Sequence, residues 1–456
     1  MTSAADTPIH VGSELQPDEA PRDLCVGCIN PRALVEAVMG RKVNWNDKSS
    51  LQLMSDTLQK QYDELFDIKF GSPLYTGLKL GPDNKVVRAK PEELKILADQ
   101  DLATPDLSVL KKLHDLNGVG VDDLSAVPVT QAWLTNGKLN VQLNVPTLNK
   151  TISNLSLTKT FFDILVGGSA PSGSAPSEWT PANATWKDVG DFERQVTEFN
   201  DPIQGAVGDC WLIAALSAVA WALPFTIVHR PRRTSLNDSD HVDQLTFYSK
   251  GGSHDAATGT VEVTEQILVG NVGGNVLYCR SADLGELWPA IYEKAFAKWS
   301  TGNGTDKPNI LALAAGDPAK ATAQLTNRTP LYYDCSAKTA SQLWGLVRAN
   351  SLSRKTFNPM TAWTYGSGTF YTNSGIAANH AYTVLGWTFD GNKEYIILRN
   401  PWGYFEPTGT NTLQGVIHVF DSSFWRPINM IGNDGVFALE AASFKKYYAW
   451  LGVAVA

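Results

Sequence analysis

The stretch QGAVGDCWLIAALSAVAWALP, Gln204 to Pro224, limits what this chain can become more than any other. Its segment DCWLIAALSAVAWAL is long enough for a helix, is apolar on every side and is closed by Pro224. A helix of that kind is buried all round, so the pattern predicts a central core helix rather than a surface one. Cys210 falls in the first turn, with Asp209 placed to cap it. Unpaired backbone N–H groups and the helix dipole favour an anion there, so the position suits a reactive thiolate. The competing expectation is that a cysteine in an apolar helix is core packing.

A buried helix needs a shell, and the chain has the material for one. Its 456 residues predict two to four units, and 43% hydrophobic residues with 14 tryptophans describe a globular protein. The net charge of −8 comes with no basic patch, which argues against a nucleic-acid partner. Cysteines at 25, 28, 210, 279 and 335 are odd in number and sparse, which fits a reducing compartment better than a disulfide scaffold. The polar, acidic start shows no secretory signal, and no run of about eighteen apolar residues marks a membrane span. A cytoplasmic location is the resulting expectation, with export lacking a cleavable signal left open. Oligomeric state is unreadable from the sequence.

The tract GGSAPSGSAPSEW, residues 167–179, is of linker composition and divides the chain. The expected organisation is a flexible N-terminus over 1–30, a mixed regulatory or pro-domain over 31–166, the linker, a helical unit over 180–310 and a sheet-rich unit over 311–456. Within the N-terminal region, residues 31–60 and 90–116 read as helical and 128–160 as alternating strands. LGELWPAIYEKAFAKW supplies a second helix that must begin near Pro289, and beyond Gly316 the pattern turns to strands. The pair in CVGC, Cys25 and Cys28, has no second pair to complete a zinc site and reads as two spare thiols on a mobile segment. Cys279 and Cys335 read as core.

Chemistry enters with HAYTVLGWTFDGNKEYIILRN. Two apolar strands flank a turn around Asp390, Gly391 and Asn392, and counting outward sets His380 nearly opposite Asn400. An amide that orients one imidazole nitrogen leaves the other to take a thiol proton. Cys210 can supply that thiol, and Gln204, six residues upstream, can donate its amide N–H to an oxyanion together with the Cys210 backbone N–H.

QGAVGDCWLIAAL, ELWPAIYEKAFAKW, NHAYTVLGW and RNPWG, in that order, resemble the successive motifs of the calpain family of cysteine proteases, over about residues 190–450. The resemblance implies an α+β, papain-like fold in which a helical lobe carrying the cysteine faces a sheet-rich lobe carrying the histidine and asparagine. It implies Cys210 as nucleophile, His380 as base, Asn400 as its orienting amide and Gln204 in the oxyanion hole. Trp402 would shield the His/Asn pair from water, and Gly208 would support the cleft. The implied activity is limited proteolysis of protein or peptide substrates, with autoprocessing and calcium modulation. A papain-fold acyl transferase and a silent calpain-like binding module stay open as alternatives.

By the same resemblance, Asp201 and Glu286 stand at the calcium-ligand positions of the first lobe. In the second lobe Glu406 and Asp434 match ligand positions, but Val436 replaces a glutamate and TGTNTLQG offers no aspartate. One calcium ion, in the first lobe, is the expectation. The sequence has no EF-hand loop, and the residues before the protease-like region resemble no family.

Overall fold

The computed structural model of the chain describes residues 16–18, 26–30, 32, 33 and 36, the strand residues 78–80, 86–88, 129–135, 138–145 and 150–157, and residues 178–456 apart from 182–183, 195–196, 229–231, 235–240, 272–273, 372–373, 408, 410, 421–424 and 433. Helices and antiparallel sheets occur together, an α+β arrangement.

The expected central helix is Cys210–Ala222, and twelve of its residues, Cys210 through Trp221, are buried. Leu223 ends it, and Pro224 opens the short helix Pro224–Val228 instead of continuing it. The second helix runs Trp288–Ser300 with Pro289 in its first turn, where a missing N–H costs nothing. Around these two helices pack the two-stranded ladders Ala184–Lys187 with Ile267–Gly270 and Pro202–Ile203 with Arg280–Ser281, and the sheet carrying His241–Phe247 and Gly259–Thr264. The buried Lys294 is fully engaged, donating to Asp306 Oδ2 at 2.7 Å and to the carbonyls of Thr264 and Gln266 at 2.9 Å each.

Beyond Gly316 the chain does not pass directly to strands. Asp317 caps the helix Pro318–Thr326 through the Lys320 amide, and Ala319, Ala321 and Leu325 join the core around Cys210. That core therefore extends past residue 310. A second unexpected helix, Ala340–Ala349, begins on a capping box made by Thr339 and Gln342.

Eight of the strands beyond Gly316 form one antiparallel sheet, while Val416–Phe420 and Trp425–Asn429 pair in a ladder of their own. Its centre is Lys355–Thr364, Ala381–Asp390 and Lys393–Arg399, with Tyr448–Val455 on one side and Val436–Glu440 on the other. One face packs on the helices Ala340–Ala349 and Ala441–Tyr447, and the other meets the Cys210–Ala222 helix, where Thr383 Oγ1 donates to the Ala214 carbonyl at 2.8 Å. Arg399, wholly buried, ties the same sheet to the helix region through Ser217 Oγ at 2.8 Å and the Asn200 carbonyl at 2.7 Å.

In the N-terminal region the alternation over 128–160 is realised as the antiparallel strands Val129–Thr135, Lys138–Val145 and Lys150–Leu157. The helices expected over 31–60 and 90–116 lie outside the described residues, apart from helical positions 32, 33 and 36. Of the expected linker, Glu178 and Trp179 are described; Trp179 is buried, its amide donating to Lys307 O at 2.9 Å. No described helix is long and apolar enough to cross a membrane.

Candidate active site

Cys210 opens its helix, as its place in the sequence predicts, but Asp209 does not cap it: at the N-cap position it makes no side-chain cap hydrogen bond. Its carboxyl is turned inward, fully buried, toward Glu293 of the Trp288–Ser300 helix. Burial pushes Asp209 up to about 7, and Glu293 rises well above the ordinary range for burial and for the neighbouring charge. Glu293 accepts the Cys279 amide with both oxygens, at 3.1 and 3.2 Å. Two carboxyls this close and this dry hold a proton between them.

The turn at Gly391–Asn392 closes the hairpin, with Gly391 at φ 56°, a backbone conformation glycine adopts without cost. A register shift between Val384 and Gly386 slides the strands by one residue. His380 and Asn400 end side by side, Nε2 to Oδ1 2.8 Å. The amide orientation is fixed by its other partners, since Oδ1 also accepts the Trp402 N–H at 3.0 Å and Nδ2 donates to the Phe405 carbonyl at 3.1 Å. Nε2 therefore carries the proton, and Nδ1, buried and without a hydrogen-bond partner among the described residues, is the acceptor. The Trp402 ring lies 4.4 Å from the imidazole and is 1% exposed. The Ala381 amide, next to His380, faces the Cys210 sulfur.

Cys210, His380, Asn400 and Gln204 are all completely buried. Burial pushes the Cys210 thiol up to about 12 and His380 down to about 3, the Asn400 bond opposing the second shift. The pair is thus a neutral thiol and a neutral imidazole.

What seals it is the N-terminus, so the expectation of a flexible stretch over 1–30 does not hold for its residues 26–30. Cys28, 2% exposed, points its amide N–H at Cys210 Sγ, 3.4 Å away. Gln204 Nε2 donates to the Cys28 carbonyl at 2.5 Å and to the Val207 carbonyl at 2.7 Å. Gly208 lies against Gly27. Cys28 is therefore no spare thiol on a mobile segment; Cys25 is outside the described residues. Sequence reasoning missed this because a five-residue pairing across the fold leaves no periodic trace, and only the glycine inside CVGC hinted at close backbone approach.

Asp201 and Glu286 come together with a third carboxylate, Asp283, all with an oxygen within 4.8 Å of the others. Asp201 is pushed up to about 7 by burial and, against the hydrogen bond from Glu198, by the Glu286 charge. Asp283 sits in a loop and was not singled out from the sequence. Glu406 and Asp434 are also neighbours, and Glu406 is raised to about 7, by burial first and by Asp434 further. Val436 beside them is an apolar core residue, 2% exposed.

A family model described as calpain family cysteine protease matches residues 162–454. A thiol protease of Porphyromonas gingivalis is 27% identical over 440 residues, covering 93% of this chain and 86% of that protein. Human calpain-8 is 29% identical over 219 residues, covering 46% of this chain and 28% of the calpain, and the mouse calpain-1 catalytic subunit is 30% identical over 220 residues with the same coverage. The chain thus spans less than a third of those two calpains. The Porphyromonas match reaches well into the region before residue 162, which the sequence motifs left unmatched.

Proposed function

The chain belongs to the calpain family of cysteine proteases, and from that premise we propose that it is a cysteine endopeptidase working through a Cys210 acyl-enzyme by limited proteolysis of protein substrates. The observation that carries the reading is the fixed imidazole: Asn400 holds Nε2 at 2.8 Å and leaves Nδ1 free to accept, beside the strand start whose Ala381 amide opposes the rise of the Cys210 thiol. Nδ1 takes the thiol proton, the sulfur attacks the substrate carbonyl carbon, and Gln204 Nε2 with the Cys210 N–H binds the oxyanion. The imidazolium returns its proton to the departing amine, and water then hydrolyses the thioester. Trp402 keeps water off the His380–Asn400 bond. In this reading the cores around Cys210 and around the large sheet are the two lobes of a papain-like protease, and the N-terminal region is regulatory.

Asp201, Asp283 and Glu286 fit a hard cation, being carboxylate oxygens that repel one another in a partly dry setting, and they would hold calcium. A bound ion would add positive charge to that of the buried Arg399, which already acts on Asp201. Glu406 and Asp434, with Val436 in place of a third carboxylate, are a poorer donor set. The test is mass spectrometry of a protein substrate incubated with the full chain, with and without calcium, beside a Cys210→Ser control. Peptide-bond cleavage lost in Cys210→Ser is the expected result; cleavage that persists in the control overturns the assignment.

A further inference from the structure

Residues 26–30 cross the site as an extended peptide, and the wall that receives them is built for one. The Val26 amide and carbonyl exchange hydrogen bonds with those of Gly316, each 3.0 Å long, an antiparallel bridge. The Ala315 amide donates to the Gly208 carbonyl at 2.8 Å, joining the two residues that face Gly27. A Cβ on Gly27 would lie 2.6 Å from the Gly208 carbonyl oxygen and 2.7 Å from Ala315 Cα, both backbone atoms that cannot swing aside. The Gly27 carbonyl accepts from Asn379 Nδ2 at 3.2 Å. Ala315 and Asn379, the residues that grip Gly27, both hold left-handed backbone, φ 64° and 53°. Such conformations persist where surrounding structure demands them, and they cluster at ligand clamps. On the far side Asn30 Nδ2 donates to the Gln204 carbonyl at 2.7 Å, and the Arg32 guanidinium stacks on Tyr404 at 4.0 Å.

We propose that Val26–Asn30 is a built-in ligand of the cleft, and that the cleft recognises an extended peptide with glycine at the Gly27 position. Peptides presented by other proteins compete for the same slot, which therefore determines sequence preference as well as latency. The consequence for catalysis rests on the reading of Cys210 as nucleophile, but the occupancy itself is read by thiol chemistry alone.

The experiment is alkylation of Cys210 by iodoacetamide in the full chain, quantified by peptide mass spectrometry, with near-ultraviolet circular dichroism as the check on folding. Overpacking a closed slot costs enough to shift occupancy by about tenfold or more, so Gly27→Val is expected to speed Cys210 labelling by at least that factor. Asn30→Ala adds no bulk, keeps the fold and is expected to speed labelling as well. Adding the peptide Leu-Ser-Val-Gly-Ser-Ile-Asn to Gly27→Val should slow labelling again, and Leu-Ser-Val-Ala-Ser-Ile-Asn should not. Equal labelling in the native chain and both variants overturns the proposal, as does equal protection by the two peptides. If both variants label fast and the glycine peptide protects, but no substrate is cut, the slot stands and the protease reading falls.

Discussion

Asn400 accepts the His380 Nε2–H and the Trp402 backbone N–H with the same oxygen, at 2.8 and 3.0 Å, so the asparagine is locked by the loop that also delivers the shielding tryptophan. Because one amide fixes both tautomer and ring position, the three residues are expected to act as a unit.

Turnover of a fluorogenic peptide should fall by about 10² to 10⁴ in His380→Ala, the usual worth of a positioned base. Asn400→Ala should reduce kcat by less and leave KM nearly unchanged, because the amide orients the imidazole without touching substrate. An Asn400→Ala variant with native kcat would show that the imidazole needs no such support.

The pH dependence of thiol reactivity follows from the seal. Burial raises Cys210 to about 12 and lowers His380 to about 3, so in the covered state the thiol stays protonated above its ordinary value of 9.0, and the imidazole stays neutral below 6.5. Gly27→Val should let water in and relax both shifts. Its Cys210 alkylation rate should then rise at lower pH than in the native chain; superimposable rate–pH profiles would contradict this.

The buried Asp209–Glu293 pair makes the opposite demand of pH. Both carboxyls hold their protons more tightly folded than unfolded, Asp209 at about 7 against 3.8, so the folded state binds more protons in that window. The Asp209 contribution is fully present below pH 3.8 and is lost as pH rises through about 7, and Glu293, raised well above its ordinary 4.5, adds a change of the same sign. Urea midpoints of the native chain should therefore carry a falling component from mildly acid to neutral pH that Asp209→Asn reduces. If the two chains keep parallel profiles, the pair is not protonated as described.

How much of this was readable in the sequence depends on whether the signal was local. The Cys210–Ala222 helix and the His380–Asn400 hairpin were legible because an apolar run, a closing proline and a Gly391 turn each act over a few residues. The Asp317–Pro318 and Thr339–Gln342 helix starts were equally local, yet the strand-rich surroundings masked them. Asp209 misled because its position at a helix start predicts a cap, while a tertiary partner, Glu293, takes the carboxyl inward. Asp283 and the Val26–Gly316 bridge depend on contacts between distant segments, which no spacing rule encodes.

Calcium titration should show at most one site of useful affinity. Asp201, Asp283 and Glu286 bring three carboxylates within 4.8 Å, whereas Val436 denies the Glu406–Asp434 pair a third. Calorimetry on Asp201→Ala, Asp283→Ala and Glu286→Ala should each show that site weakened or lost; two tight sites, or one indifferent to all three changes, would refute the cluster.

A chain starting at Glu178 should be folded and more reactive than the full one. Trp179 already packs in the core around Cys210, its amide bonded to Lys307, so the truncation keeps that anchor. It removes Val26, Cys28 and Ile29 from the same core, together with the N–H on the Cys210 sulfur and the carbonyl on Gln204. Losing three buried apolar side chains costs stability on the order of several kcal/mol, so the melting temperature should drop while Cys210 labelling accelerates. Native-like circular dichroism with fast labelling would establish the N-terminal segment as a removable cover. An insoluble product would mean that residues 26–30 are part of the core that holds the site together, and a soluble product with unchanged labelling would mean that they do not cover it.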